Sequence, residues 1–467
     1  MTERAQAQQI GVAYEFDTSY PTPEATRMAL EDAAFARAVT AYRFWYPTIS
    51  VDAMFQGNRA IGIHDNKTMG IASTGPRQIG FTLNSDTPYG MACLDLSHGP
   101  MVVEIPAGPY IGMMDDHNFR WIADLGIPGP NEGKGDTYLV IPPGYDAPIP
   151  DGYRPARSAT VLVMLAVRVL PIGADIDKAL SALREVKVYP LAAGEAERLD
   201  FRDITDADLD ASPLQLEANL GFWQRLHEVL DAEPVIEEFR PMYGLLSALG
   251  IEPGKPFPTD EATCALLERA ARTGRDQMLV SAFASDRPDR IAWPDRAWEW
   301  AGLVPDNGDF ETPNGLDLEA RDRWFAQAIV SSPAMFRRQA GKGSLYWLAV
   351  RDADGVFLDG AHSYTLDIPQ PVPGTLFWSV TIYDAETRSQ IQTDQDKAAL
   401  RSMFELRDVD ASAPIRLHFG PEAPAGAEDR WIKTVPGRGW FTYLRIYGPE
   451  QPAFDGTWKP ADIHRAR

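Results

Sequence analysis

Two strand-like segments, Asn84-Ser-Asp-Thr-Pro-Tyr-Gly-Met-Ala-Cys-Leu-Asp-Leu-Ser97 and Thr375-Leu-Phe-Trp-Ser-Val-Thr-Ile-Tyr-Asp384, stand on either side of a long stretch with helical periodicity. A chain built this way is expected to fold as two β domains bracketing helices, not as alternating βαβ units, which would repeat a strand and a helix every few tens of residues. At 467 residues it also exceeds the size at which a single hydrophobic core stops growing, so several domains are expected.

The element pattern fills in this outline. Thr22-Pro23-Glu24 supplies a capping hydroxyl, a proline at the first helical position and an acid in the first turn. Met28, Phe35, Val39, Tyr42 and Tyr46 then follow along one helical face, and Pro47 is expected to end that helix. Six short runs follow between residues 77 and 170: Gln78 to Leu83, Gly90 to Leu96, Met101 to Ile105, Tyr110 to Met114, Tyr138 to Ile141 and Ala159 to Val169. Such runs, parted by turn residues, predict a β-sandwich.

Helical spacing returns at Asp175 and recurs over Leu214–Leu230, Val235–Leu249, 261–284 and 318–330, with Gly250 and Thr259 as a helix stop and a helix start. Strands resume at Leu345–Val350, Val356–Ile368, Leu376–Tyr383, Ile415–Phe419 and Trp440–Tyr447, with Asp352-Ala-Asp-Gly355 as a hairpin turn. The expected fold is mainly β with a helical middle, α+β overall. It comprises a helical segment over 1–50, a β-sandwich over 51–171, a helical region over 172–340 and a jelly-roll-like β domain over 341–467.

With 66 acidic against 44 basic residues, the net charge of −22 opposes binding to nucleic-acid phosphates or anionic lipid surfaces. Two cysteines, Cys93 and Cys264, imply no disulfide framework. The segment Met1–Ile10 lacks the apolar core of a signal peptide and no later run approaches a membrane span, which predicts a cytoplasmic protein without a membrane partner. Gly-x-Ser-x-Gly, His-Glu-x-x-His, Cys-x-x-Cys and phosphate-loop motifs are all missing, so no nucleotide, flavin or other cofactor is expected and no metal ligand is assigned, although the oxygens of Asn84-Ser-Asp86-Thr87 suit a hard cation as well as a ligand hydroxyl and metal dependence stays open.

Several motifs together resemble the paired domain-of-unknown-function families 1254 and 1214. On the N-terminal side they are Arg43-Phe-Trp-Tyr-Pro47, Asn84-Ser-Asp86-Thr87-x-Tyr89, Leu94-Asp-Leu-Ser97, Asp116-His-Asn118-Phe119 and the run from Gly135 to Gly144. On the C-terminal side they are Leu358-Asp-Gly360, Tyr364, Phe377 to Asp384, Leu444-Arg-Ile-Tyr447 and Asp455-Gly-x-Trp458, with Leu249 to Phe257 between the two sets. The resemblance implies the same β-sandwich, helical middle and jelly-roll order, and no common reaction. The chain departs from the pattern at Thr393–Leu400, where the families carry an Asn-Arg-Tyr loop.

Two kinds of function fit the polar groups. In the first, an enzyme works by general acid/base chemistry on a small, partly apolar organic molecule, in a hydrolase-like or lyase-like reaction. His117 moves the proton, Asp115 or Asp116 orients it, and Asn84, Asp86, Thr87, Tyr89 and Asn118 position the substrate. These short polar residues equally build turns by hydrogen-bonding their own backbone, as does His64-Asp65-Asn66. In the second, a non-catalytic protein binds a carbohydrate or lipid-like ligand on aromatic residues where the two β domains meet. Trp378 and Tyr383, with Asp384 as polar anchor, are candidates for that surface as well as for core packing. Trp293, Trp298 and Trp300 suit either a domain junction or the interface of a homo-oligomer.

Overall fold

The structure, a computed structural model, describes residues 13–303, 309–341, 343–410 and 412–466; the segment Met1–Ile10 lies outside them. Helix α1, Pro23–Ala60, opens as its sequence requires, with Thr22 Oγ1 accepting a hydrogen bond from the Ala25 N–H at 3.2 Å. It does not end at Pro47. An internal proline costs a helix about 3 kcal/mol, but every residue from Phe44 to Phe55 is buried, and packing on all sides of this half holds it helical past the proline.

Around this buried half pack α3 (Leu220–Ala232), α4 (Arg240–Ser247), α5 (Glu261–Phe283) and α6 (Leu318–Phe325), numbered after the short surface helix α2 (Ile176–Leu183). Gly274 on α5 permits the closest approach, since a Cβ there would lie 2.3 Å from the Tyr42 ring. Asp260, not Thr259, caps α5, accepting from Thr263 N at 2.9 Å. Helix α6 stops at Phe325, short of the expected 330.

The N-terminal sandwich faces a six-stranded sheet against a four-stranded one. The larger sheet runs Asp200–Asp203, Thr68–Ala72, Tyr89–Asp95, Leu162–Val169, Tyr110–Asp116 and Trp121–Gly126; the smaller runs Arg154–Arg157, Lys134–Ile141, Met101–Ala107 and Lys187–Pro190. Strands Lys187–Pro190 and Asp200–Asp203 thus carry the sandwich beyond residue 171, into the span that reads as helical. Alternation decides the faces: Val163, Leu165 and Val167 fill the sandwich core, while Met164 and Ala166 face the helices.

The C-terminal sandwich pairs a five-stranded sheet with a four-stranded one. Glu299–Trp300, Ser344–Ala349, Trp440–Pro449, Gly374–Asp384 and Ala399–Arg401 form the first; Trp431–Lys433, Ile415–Gly420, Tyr364–Ile368 and His464–Arg465 form the second. Only Tyr364–Ile368 of the expected strand 356–368 pairs in a sheet, and Gly355 takes its expected positive φ of 79°. Trp293 and Trp298 fill this sandwich with Trp347, and Trp300 packs at its border, so these indoles are used within the chain.

Each sandwich turns the outer face of its larger sheet toward the helices. One continuous cluster of buried side chains, from Met91 and Met113 through Trp45 and Trp324 to Tyr346 and Tyr443, joins the two. The functional geometry lies in this shared layer. Among the described residues no helix is long and apolar enough to cross a membrane.

Candidate functional site

The structure separates the two groups of polar residues singled out from the sequence. His117 lies just beyond the strand Tyr110–Asp116, fully enclosed between α1 and the segment after α3. Its Nδ1 is 2.8 Å from Glu233 Oε1, and its Nε2 is 3.5 Å from Asp52 Oδ1. Glu233 also accepts from Val161 N and Leu162 N, and Asp52 is clamped by Arg225. Burial alone would lower the His117 pKa, but its bonds to Asp52 and Glu233 raise it above the usual value. Burial works against the charge of Asp52 too, yet His117 and Arg225 draw its pKa down to about 2. This is a buried ion cluster stapling helix to sheet, and His117 lines none of the main cavities.

The neighbouring acids are likewise absorbed. Asp116 Oδ1 accepts from the N–H groups of Asn118 and Arg120 in an Asx turn, and burial pushes its pKa up to about 6. Asn118 Oδ1 accepts from Thr48 Oγ1 at 2.6 Å. Asp115 keeps the regular register of its strand against Leu162–Val169 and faces the helical layer, where its Oδ2 accepts from Ser331 N at 2.7 Å; burial raises its pKa well above that of a free carboxylate. Alternation sends Asp115 and His117 to the same helix-facing side, but Asp115 is spent on Ser331 while Glu233 and Asp52 hold the imidazole. Asp65 pairs with Arg59, and Asn66 bonds the Asp95 backbone, which makes the His64 loop structural.

The second group converges. After the short strand Gln78–Ile79 the expected strand gives way to a loop that crosses to the C-terminal sheet. There the N–H of Thr82 donates to Arg388 O, Tyr383 Oη donates to Leu83 O at 2.9 Å, and Arg445 Nη2 donates to Thr82 O at 3.0 Å. Asn84 Nδ2 donates to Tyr89 Oη at 2.7 Å, and its Oδ1 holds the Asp86 N–H. Asp86, fully buried, accepts from Ser379 Oγ at 2.8 Å and Tyr447 Oη at 2.9 Å. Among the described residues its other oxygen, like Thr87 Oγ1, has no hydrogen-bond partner.

Trp378 is not part of this group. On the strand Gly374–Asp384 it alternates with Ser379 and Tyr383, and its indole lies in the C-terminal sandwich core. Asp384, at the strand end, is taken by Arg438 and by the N–H groups of Glu386 and Thr387.

Two adjoining cavities open where the sandwiches meet. The inner one, about 60 Å³, is lined by Asn84, Tyr89, Arg168, Tyr346, Tyr443 and Arg445, with Met54, Phe81, Met91 and Trp324 as apolar wall. The outer one, about 550 Å³, shares Met113, Arg168, Met335 and Tyr346 with it and is bounded further out by Ile111, Ile127, Leu170 and Leu376. Its size is that of a small-molecule site.

Two arginines missed in the sequence dominate the inner cavity. Arg445 is 2% exposed; among the described residues its Nε and Nη1 have no hydrogen-bond partner, and its guanidinium lies 4.9–5.6 Å from the ring centres of Tyr443, Tyr346 and Tyr383. Arg168 is 6% exposed and 5.6 Å from the Tyr89 ring. Among the described residues neither makes an ion pair. Burial opposes both charges, but neighbouring tyrosine hydroxyls, and for Arg445 also Asp86, raise the pKa, so both stay cationic. A buried donor left unpaired costs about 1–3 kcal/mol, more when charged; Arg445 differs from the other buried arginines with an unpaired nitrogen in that it leaves two nitrogens unpaired beside a cavity it lines. The sequence signal was a lone arginine inside an otherwise apolar strand, in Leu-Val-Met-Leu-Ala-Val-Arg168-Val and Leu444-Arg445-Ile.

Family models match two stretches: protein of unknown function (DUF1254) over residues 69–190, and protein of unknown function (DUF1214) over residues 343–451. The chain thus carries a DUF1254 region followed by a DUF1214 region, the two-region order its motifs resemble. Its fold is similar to that of the VPA0106 protein from Vibrio parahaemolyticus, at 17% identity and a TM-score of 0.57, covering 93% of this chain and 100% of that one. An uncharacterized protein from Burkholderia cenocepacia aligns at 14% identity and a TM-score of 0.43 over 94% of this chain and 97% of that one. No curated protein matches.

Proposed function

We propose that the protein binds a small, partly apolar organic molecule in the paired cavities between its two sandwiches. The observation that carries this reading is the junction itself. Side chains from both family regions and from the helical middle meet around one hollow, with buried polar groups aimed into otherwise apolar walls. That is the usual composition of a ligand site: mostly apolar lining with a few placed polar atoms.

The junction provides hydrogen-bond donors in place of a proton shuttle. Burial and the nearby Asp86 charge keep the Tyr447 pKa well above its ordinary value, so the phenol donates a hydrogen bond and does not act as a base. His117, the expected base, is enclosed elsewhere, and the buried Asp86, held by Ser379 and Tyr447, is not among the residues that line either cavity.

Blocking the cavity tests the reading. Met335 lines both chambers and is half-buried, so Met335→Trp narrows the passage without overfilling a closed core. Native mass spectrometry of freshly isolated protein, with ligand screening by thermal shift, should find small molecules that bind wild type and bind the variant at least tenfold more weakly. Ligands that bind both equally would place the site elsewhere.

A further inference from the structure

We infer that the ligand of the junction is an organic monoanion, a carboxylate on an apolar tail, with its head between Arg168 and Arg445 and its tail in the outer cavity. This inference rests on the binding reading above and names the ligand class of the same site.

The charges fix the sign. Around the inner cavity the described ionic groups are two guanidinium groups, those of Arg168 and Arg445, against one carboxylate, that of Asp86. Asp86 is already engaged by Ser379 and Tyr447, and it forms no ion pair with Arg445. The wall therefore carries one uncompensated positive charge inside a protein whose net charge is −22. At the outer mouth Glu132 and Arg337 are exposed and oppose each other, so they do not alter that balance. One negative charge completes the inner site; a phosphate monoester would bring nearly two.

The donors fix the group. Arg445 leaves Nε and Nη1 without a hydrogen-bond partner among the described residues, while Nη2, which lies between them in the fork, donates to Thr82 O; the second N–H of Nη2 forms, with one of the other two, the two-point edge that fits the two oxygens of a carboxylate. Tyrosine rings lie against both guanidinium groups in cation–π contacts, which engage the face of the group and not its N–H edge.

The volumes fix the orientation. The inner cavity, about 60 Å³, has room for a head group only, whereas the outer, about 550 Å³, accepts a hydrocarbon or aromatic body against Ile111, Ile127, Leu170 and Leu376.

Isothermal titration of the full chain with octanoate, octan-1-ol and octylamine at pH 7.5 tests this. Octanoate should bind at least tenfold more tightly than octanol, and octylamine most weakly. Arg445→Met and Arg168→Met should each weaken octanoate at least tenfold while leaving octanol within twofold. If neither variant folds, the ranking on wild type decides alone. Octanol equal to octanoate, or octylamine tightest, overturns the anion assignment and leaves the cavity as the binding site. Octanoate binding that survives Met335→Trp, or no binding by any of the three, overturns both.

Discussion

Glu217 offers the sharpest quantitative test of how the two halves are locked together. Its carboxylate is 2% exposed and accepts from Tyr46 Oη at 2.7 Å, Arg275 Nε at 2.9 Å, and Arg388 Nη2 at 2.5 Å, so one group ties α1, α5 and the C-terminal sandwich. Glu217→Gln keeps the shape but removes the charge and turns an amide N–H₂ toward donors. Arg388 is left buried without its counter-ion. Removing one partner from a buried pair costs about 3–5 kcal/mol, a large share of the ~5–15 kcal/mol that holds a typical protein folded.

The pH dependence carries a definite sign. Burial alone would raise the Glu217 pKa, but Arg388, Tyr46 and Arg275 hold it below its ordinary value. Its stabilisation is therefore present above the unfolded pKa of about 4.3 and is lost as pH falls through the folded value. Urea unfolding followed by tryptophan fluorescence should show the full deficit at pH 7, shrinking below pH 4. The exposed Glu24→Gln, which breaks only the surface pair with Arg27, should leave the curve unchanged. A Glu217→Gln curve that overlays wild type at pH 7 would refute the interlock.

Three further outcomes are expected. His117→Gln should cost about 3 kcal/mol through loss of a buried pair and leave octanoate affinity within twofold. Because the folded His117 pKa is raised, the deficit is full below pH 6.5 and narrows as pH rises through the folded value, which melts at pH 5.5 and 9 would show. Asp116→Asn keeps the Asx turn and removes a buried carboxyl whose pKa rises from 3.8 to about 6. The folded state holds the extra proton between those values, so wild type loses stability as pH rises across them, by about 3 kcal/mol, and the variant should equal or exceed it at pH 8 by urea unfolding. Trp378→Ala should cost about 3–5 kcal/mol by opening the sandwich core without changing octanoate affinity; weakened binding in a folded variant would place that indole at the site.

The architecture was legible because both sandwiches are written in period-two alternation broken by turn residues, and α5 in a helical run opened by a capping residue, Asp260, one position after the expected Thr259. Pro47 misled because local chemistry says stop, while the burial of Phe44 to Phe55, a long-range fact, keeps the helix going. Trp378 and Tyr383 could have been parted in advance, since an odd separation along a regular strand sends them to opposite faces. Asn84, Asp86, Tyr89, Tyr383 and Arg445 all fall within the motifs that carry the family resemblance, yet their convergence depends on a loop near Thr82 crossing between domains, and no local pattern encodes that crossing. His117 drew attention as an imidazole among acids. Its partners Asp52 and Glu233 come from distant segments, and they fix it as a staple.

A crystal structure of the protein with octanoate would test the central claim most directly. Density for the carboxylate between Arg168 and Arg445, with the tail running past Met335 toward Leu376, is the predicted result. Density confined to the separate cavity beside Arg120 and Arg321, about 340 Å³ in volume, or a junction left without ligand at saturating octanoate, would contradict it.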